Sequence, residues 1–135
     1  MFRLPDFERD AWCLDDGEER HRDAPNTFSI PDLASRRSLR PGDFAQLIFR
    51  IALASDDEPE SVERMWVIVR EPAPGGYIGM LDNAPSTIEQ NDIFWVGTEL
   101  RFEYRHIITV KLGNDKSKKL AAEPVPIPWL DHLPN

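Results

Sequence analysis

Residues 75–85 read GGYIGMLDNAP, and this stretch decides which kind of fold the chain adopts. Its three glycines are either a phosphate-binding loop or the turn and close contacts of a tightly bent sheet. A phosphate-binding loop needs its glycines between a strand and a helix, whose N–H groups meet the phosphate. Here the glycines precede YIGML, which is rich in strand formers, and no lysine follows within the loop. The sequence therefore predicts a β-hairpin with residues 72–76 as its loop.

The segment before this loop, ERMWVIVRE at residues 63–71, predicts the first strand of the hairpin. Large apolar residues occupy both of its faces, and Trp66 lies on one of them. Gly79 lies inside the second strand, where a glycine costs stability unless a neighbour covers its backbone closely. We expect Trp66 either to cover Gly79 or to form an exposed aromatic patch with Tyr77, which would mark an interaction site.

Two longer stretches alternate apolar and polar residues with the period of a strand. Residues 44–53 follow the turn signal PGD and place five apolar side chains on one face. Residues 99–110 follow Gly97 and form the longest alternation in the chain, with His106 on the apolar face. A histidine in such a position is more often a hydrogen-bonded core residue than a ligand or a general base.

A short helix near residues 31–38 precedes these strands. Ser29 is placed to cap it, and Leu33 would face the core. The predicted fold class is α+β, with a strongly curled antiparallel β-sheet and one or two short helices. The strands of the sheet are expected at residues 44–53, 64–71, 76–82 and 99–110.

Composition divides the chain into three parts. Residues 1–25 form an acidic N-terminal arm, residues 26–112 a single α+β domain, and residues 113–135 a Pro-rich C-terminal tail. A chain of 135 residues suits one such domain. We expect the arm to pack loosely, docked by aromatic residues such as Trp12. The tail should be extended because of its prolines, and Trp129 would pin it.

The net charge of −8 favours some partners and disfavours others. An acidic surface repels phosphate backbones, so no nucleic acid is expected as a partner. A basic protein partner is the one that this charge would attract, through the acidic arm and the loop at residues 55–63. The alternative is that the acidity serves only solubility.

The chain shows no sign of a membrane or an oxidising compartment. No apolar run approaches the roughly 18 residues that a spanning helix needs. The N-terminus MFRLPDFERD carries charges where a signal peptide is apolar, which predicts a cytoplasmic protein. The single cysteine, Cys13, cannot form an intramolecular disulfide. Asp15 and Asp16 would raise its pKa, which argues against a reactive thiol.

One pattern of six residues runs through the hairpin and past it: Trp66, Tyr77, Gly79, Leu81, Asn83 and Pro85. With PGDFAQLIF ahead of it and a glycine-opened strand ending in HI behind it, this order resembles the YegJ-like family of small bacterial domains of unknown function. The resemblance covers about residues 26–110, and Thr98 stands where an Asp is expected. It implies a domain type and a bacterial setting but supplies no catalytic residues. Related small domains are suspected of serving as immunity proteins in toxin systems, which is an analogy only.

The chemistry-bearing residues leave two hypotheses open. The three histidines lack metal-ligand spacing and no nucleophile motif exists, so no catalytic residue, metal or cofactor is predicted. The first hypothesis is a non-catalytic protein-interaction module, immunity-like or accessory. The alternative is a small-ligand domain or weak enzyme, and enzymatic activity stays open. Its pocket would lie near Trp66, Tyr77, Asn83 and His106. The predicted binding residues are therefore Trp66, Tyr77, Asn83, Trp95 and His106, with Trp66 or Trp95 as the aromatic anchor.

Overall fold

The structure, a computed structural model, describes residues 3–53, 57, 59–82 and 96–129 of the chain. Short helices and antiparallel strands follow one another within these ranges, which is the predicted α+β class. In chain order they are α1 (Phe7–Asp10), β1 (Trp12–Leu14), α2 (Gly17–Asp23), α3 (Leu33–Arg36), β2 (Phe44–Ala52), β3 (Glu60–Ala73), β4 (Gly76–Leu81), β5 (Glu99–Glu103), a 3-10 turn (Tyr104–His106), β6 (Ile107–Lys111) and α4 (Asp115–Ala122).

Strand β2 is the centre of the sheet. One of its edges pairs with β3 along residues 44–52. Its other edge pairs with β6 through residues 44–47 and with β1 through residues 49–51. Beyond β3 lie β4 and then β5, and all of these pairings are antiparallel. The result is a curled antiparallel sheet, a half-barrel, as the sequence predicts.

The glycines of residues 75–85 lie in a β-hairpin, with Gly75 in its turn and Gly76 and Gly79 in its second strand. Strands β3 and β4 pair with each other, and the turn between them contains Pro74 and Gly75. Gly75 has φ of 73°, a conformation that side-chain-bearing residues rarely adopt. These glycines therefore join two strands instead of leading from a strand into a helix, and the phosphate-loop interpretation is excluded.

The sheet buries side chains on both of its faces. Alternate residues of each strand point to an inner core, as the period of two predicts for β2 and β3. The buried members of this core are Trp12, Ala45, Leu47, Phe49, Ile51, Met65, Val67, Val69, Tyr77, Leu81, Leu100, Phe102, Ile107 and Trp129. On the outer face, Ile68 and Met80 pack against Ala121 of α4. This second layer explains why β3 is apolar on both faces.

The long alternation at residues 99–110 is two strands, not one. A 3-10 turn at Tyr104–His106 interrupts it. The backbone N–H of Glu103 donates to Nδ1 of His106 at 2.9 Å, which closes the turn. The alternation also shifts across the turn, because Ile107 joins the inner core in place of Ile108. The prediction of one continuous strand was wrong at this point.

The segments on either side of residues 26–112 pack against the sheet. In the N-terminal arm, β1 pairs with β2 and Trp12 is only 2% exposed. The prediction of an extended C-terminal tail was wrong for α4. Asn114 and Ser117 form a capping box that starts this helix, and the prolines come only after it ends. Between α4 and Trp129 the described residues form no further helix, and Trp129 reaches the inner core.

The last described residues lie along the edge of β5. Thr98 and Ile127 form a parallel bridge, and the N–H of Glu99 donates to the carbonyl of Ile127 at 2.9 Å. The Glu99 carboxylate accepts the N–H of Trp129 at 3.1 Å and also binds Arg70. Glu99 is therefore buried, and it anchors this segment.

Helix α3 is shorter than predicted and faces the other way. It spans Leu33–Arg36, and its N-cap is Asp32 instead of Ser29. Leu33 is 46% exposed, so the prediction that it faces the core was wrong. Arg36 is the buried member: its guanidinium donates to the carbonyls of residues 31 and 104 and to the carboxylate of Glu18.

Gly79 is tightly covered, but not by Trp66. A Cβ at this position would lie 2.5 Å from the carbonyl oxygen of Ile68 and 3.2 Å from the ring of Phe102. The three atoms nearest to this position belong to Ile68 and Phe102, and Gly79 pairs with Val69, three residues along β3 from Trp66. The prediction that Trp66 covers Gly79 was therefore wrong, while the close approach itself is confirmed.

Replacing Gly79 by valine should destabilise the fold, because the new side chain meets backbone that cannot rotate away. Overpacking of this kind costs about 1–3 kcal/mol. The variant Thr109→Val is the matched control, since Thr109 is an exposed strand residue. Urea denaturation of the two variants measures the difference. A Gly79→Val protein as stable as the control would show that the strand approach is not tight.

Candidate functional site

The carboxylate of Asp15 is the centre of a charged cluster beside β1. It accepts hydrogen bonds from Arg50 at 3.0 and 3.1 Å and from Arg20 at 2.6 Å. Arg50 projects from β2 and also binds Glu60, at the start of β3. Burial alone would raise the pKa of Asp15, but the hydrogen bonds from Arg50 and Arg20 outweigh it and the pKa is lowered. Asp15 is therefore a carboxylate that ties three elements together.

Asp16, the next residue, links α2 to the 3-10 turn. Its side chain caps α2 by accepting the N–H of Glu19 at 2.9 Å. Its second oxygen accepts from Arg105 at 3.3 Å, and Arg105 also binds Glu103 at 2.8 Å. Burial favours a higher pKa for Asp16, yet the hydrogen bonds from Glu19 and Arg105 lower it. The pair of aspartates thus binds the N-terminal segment to the sheet at two points.

These residues border a surface cavity of about 220 Å³. Its lining contains Asp15, Asp16, Arg20 and Arg50, together with Glu19 and Asp23 of α2. The two arginines are already paired with Asp15. Glu19 and Asp23 are exposed and have no ion pair within the described chain. The cavity therefore presents negative charge to solvent.

Charge is polarised along β2. Near its C-terminal end lie the Asp15 cluster, Glu60 and α1 with its exposed acids. Near its N-terminal end lie Arg40 and the end of β6, where Phe44 pairs with Lys111. All four lysines of the chain fall within residues 111–119. Nine strand residues place these ends about 26 Å apart, so they act as separate electrostatic surfaces at physiological salt.

Tyr77, a predicted binding residue, holds the backbone of a loop. Its ring is 2% exposed in the inner core. Its hydroxyl donates to the carbonyl of Arg36 at 2.7 Å and accepts the N–H of Leu39 at 3.1 Å. Burial raises its pKa. Tyr77 therefore fixes the chain after α3, and it cannot belong to an exposed aromatic patch.

Trp66 lies on the opposite face of the sheet from Tyr77. It is half-buried and meets Phe44 edge-on, with ring centroids 6.4 Å apart. The structure therefore does not bring Trp66 and Tyr77 together around one pocket. Two of the predicted binding residues, Asn83 and Trp95, lie outside the described residues.

His106 is a buried residue of the 3-10 turn, 3% exposed. Its Nδ1 accepts the Glu103 N–H, which places the proton of the neutral ring on Nε2. Burial, with the neighbouring charge of Arg105, lowers its pKa from 6.5 to about 4, while Glu103, Asp16 and Asp15 act in the opposite direction. The neutral imidazole is thus a structural acceptor, as expected for a core histidine.

Cys13 of β1 has the raised pKa that the sequence predicts. Burial is the main cause, and the carboxylate of Asp15 adds to it, while Arg50 opposes both. A raised pKa keeps the thiol protonated, and the thiolate is the reactive form.

Sequence reasoning missed the Asp15–Arg50 cluster. Two signals were present: the pair Asp15-Asp16 just ahead of GEER is a helix N-cap pattern, and Arg50 is the one charged residue of a mostly apolar strand. Neither signal says that the two meet, because they are 35 residues apart in sequence.

Comparison with known proteins gives no relative for this site. The chain matches no family model, no curated protein and no solved structure. Among residues 3–53, 57, 59–82 and 96–129, no three His, Cys, Asp or Glu side chains are grouped to hold a metal ion. In the same part of the chain, no helix has the length and apolar character to cross a membrane.

His106 should make stability depend on pH between about 6.5 and 4. The unfolded histidine titrates near 6.5 and the folded one near 4, so the unfolded chain binds more protons in this window. Stability should therefore fall as the pH falls, by up to about 3 kcal/mol. Urea denaturation at pH 7 and pH 4.5 measures the loss. The loss should shrink in His106→Asn, which keeps an acceptor; an equal loss in both proteins would contradict this role.

Replacing Asp15 by alanine should cost about 1–3 kcal/mol, because Arg20 and Arg50 lose their shared charged acceptor. Asp23→Ala is the control from the same cavity. Asp23 is exposed, and its loss should change stability by less than about 0.5 kcal/mol. Thermal melts of the two variants compare them directly. If both variants have the same melting temperature as the parent protein, the cluster does not hold the N-terminal segment in place.

Proposed function

We propose that this protein is a non-catalytic interaction module whose acidic end binds a basic segment of another protein. The observation that carries the proposal is the cavity beside α2. There Asp15 and Glu60 together balance the charges of Arg20 and Arg50, while Glu19 and Asp23 stand exposed at the rim. A lysine or arginine side chain entering this cavity would meet the carboxylates of Glu19 and Asp23, which form no ion pair within the described residues.

The rest of the acidic end supports the same partner. Three further acids are exposed: Asp6 and Glu8 at the start of α1, and Asp57 between β2 and β3. A net charge of −8 speeds the encounter with a basic protein and makes binding weaken as salt rises. The ion-paired floor of the cavity is rigid, because Asp15 joins β2 to α2. A rigid acidic surface loses little conformational entropy when a partner binds.

We also propose that the chain is a member of the YegJ-like family and acts in the bacterial cytoplasm, as an immunity-like or accessory protein. Four residues of the resemblance support this, since they lie in the one hairpin of β3 and β4: Trp66, Tyr77, Gly79 and Leu81. The gene next to that of this chain is informative. A neighbouring gene for a basic toxin-like protein would support an immunity role.

The binding proposal is tested by affinity capture from a bacterial lysate. Immobilised wild-type protein should retain a basic partner at about 50 mM salt and release it at about 500 mM, where charges are screened within about 4 Å. The double variant Glu19→Gln, Asp23→Asn should retain much less. Lys116→Gln, Lys119→Gln is the matched control, since it alters two charges at the other end of β2.

Two results would contradict the proposal. One is that the wild type retains nothing at low salt. The other is that the double variant retains the same protein as strongly as the wild type does, since the cavity would then play no part.

A further inference from the structure

A second cavity, at the opposite end of β2, has a different character. It has a volume of about 700 Å³, within the range of ligand-binding clefts. The turn before β2 and the chain after β6 form its walls, and α4 closes one side. Its lining residues are Ser38, Arg40, Pro41, Asp43, Leu112, Gly113 and Lys118.

The one acidic residue of this lining, Asp43, accepts hydrogen bonds from backbone N–H groups. Asp43 is 8% exposed. One carboxylate oxygen accepts the N–H of Gly113 at 2.8 Å, and the other accepts the N–H of Arg40 at 2.9 Å. These two bonds join the turn before β2 to the chain after β6 and so hold the cavity open. The charge that the cavity shows to a ligand therefore comes from the side chains of Arg40 and Lys118.

Arg40 and Lys118 are both exposed, and no ion pair involves either of them within the described chain. They come from different elements, and both line the same space. The other three lysines also fall within residues 111–119, where Asp115 is the single acid, so this stretch carries an excess of positive charge although the whole chain carries −8. Such a local field attracts anionic groups to this end of the molecule.

Leu112 adds an apolar contact to the cationic cavity. It is 83% exposed, the highest value among the large hydrophobic residues that the structure describes. A single exposed leucine is ordinary on a protein surface. This one lines the same cavity as Pro41, so an incoming apolar side chain has apolar surface to pack on there.

We propose that this cavity is a docking site for an acidic peptide segment of a partner protein. One carboxylate of the segment binds between Arg40 and Lys118, and a large apolar side chain next to it packs on Leu112. Charge complementarity selects this occupant, since the cavity is cationic and part apolar. A single-stranded nucleic acid fits less well, because its phosphates bring no large apolar side chain to pack on Leu112. This site is independent of the acidic cavity beside α2.

Fluorescence anisotropy with labelled twelve-residue peptides tests the proposal at about 50 mM salt. The probe is a peptide of Asp and Glu with two leucines; its matched control has serine in place of leucine. The leucine peptide should bind the wild type several times more tightly than the serine peptide. Lys118→Glu should weaken binding about tenfold or more, since it reverses one of the two cations.

Two further variants separate the cavity from general charge. Leu112→Ser should lower the affinity for the leucine peptide to that for the serine peptide. It should leave the affinity for the serine peptide unchanged. Lys119→Glu reverses an exposed charge of α4 that does not line the cavity, and it should change binding less than about twofold. Equal melting temperatures of the variants and the wild type establish that the fold is intact.

Three outcomes would overturn the proposal. The first is no binding of the leucine peptide at millimolar concentration. The second is an equal effect of Lys118→Glu and Lys119→Glu, which would indicate diffuse attraction instead of a site. The third is tighter binding of a twelve-nucleotide single-stranded DNA than of the peptide.

Discussion

The fold depends on a three-residue link between strands at opposite sides of the sheet. β5 pairs with β4 at one side and β6 pairs with β2 at the other, yet only the turn at residues 104–106 joins them. A flat sheet would separate β5 and β6 by four strand spacings, about 19 Å. Three residues of 3-10 helix advance only about 6 Å. The sheet must therefore curl until the end of β5 and the start of β6 are close enough for this turn to join them.

This curl explains where the chain puts its buried polar groups. Residues at the turn cannot alternate as strand residues do, so the backbone N–H of Glu103 needs another acceptor, and His106 supplies it. The same turn receives Arg36 from α3 and borders Asp16 of α2 through Arg105. The N-terminal segment is thereby attached to the turn that links β5 to β6. The charged cluster beside α2 borders this turn through the ion pair of Asp16 with Arg105.

The sequence predicted strands β2, β3 and β4, but it did not predict β1, the break between β5 and β6, or the contacts between strands. The period of two predicted the faces of β2 and β3, because a side chain alternates regardless of what lies across from it. The 3-10 turn was missed since Tyr104 and His106 continue the alternation in type although the backbone does not. The helix α4 was missed because the prolines of the tail dominated its composition. Contacts such as that of Asp15 with Arg50, or of Gly79 with Phe102, depend on the curl and cannot be read from local pattern.

The segment that follows α4 has a consequence for how copies of this protein meet. A half-barrel leaves β5 with unpaired N–H and C=O groups, and an exposed edge of this kind can pair with a strand of another molecule. Ile127 occupies that edge through its hydrogen bonds with residues 97 and 99, and Trp129 locks the segment into the core. Proteolytic removal of this segment would expose a ready template for intermolecular strand addition. The segment through Trp129 thus covers the start of this edge, and we expect it to hinder strand pairing between molecules.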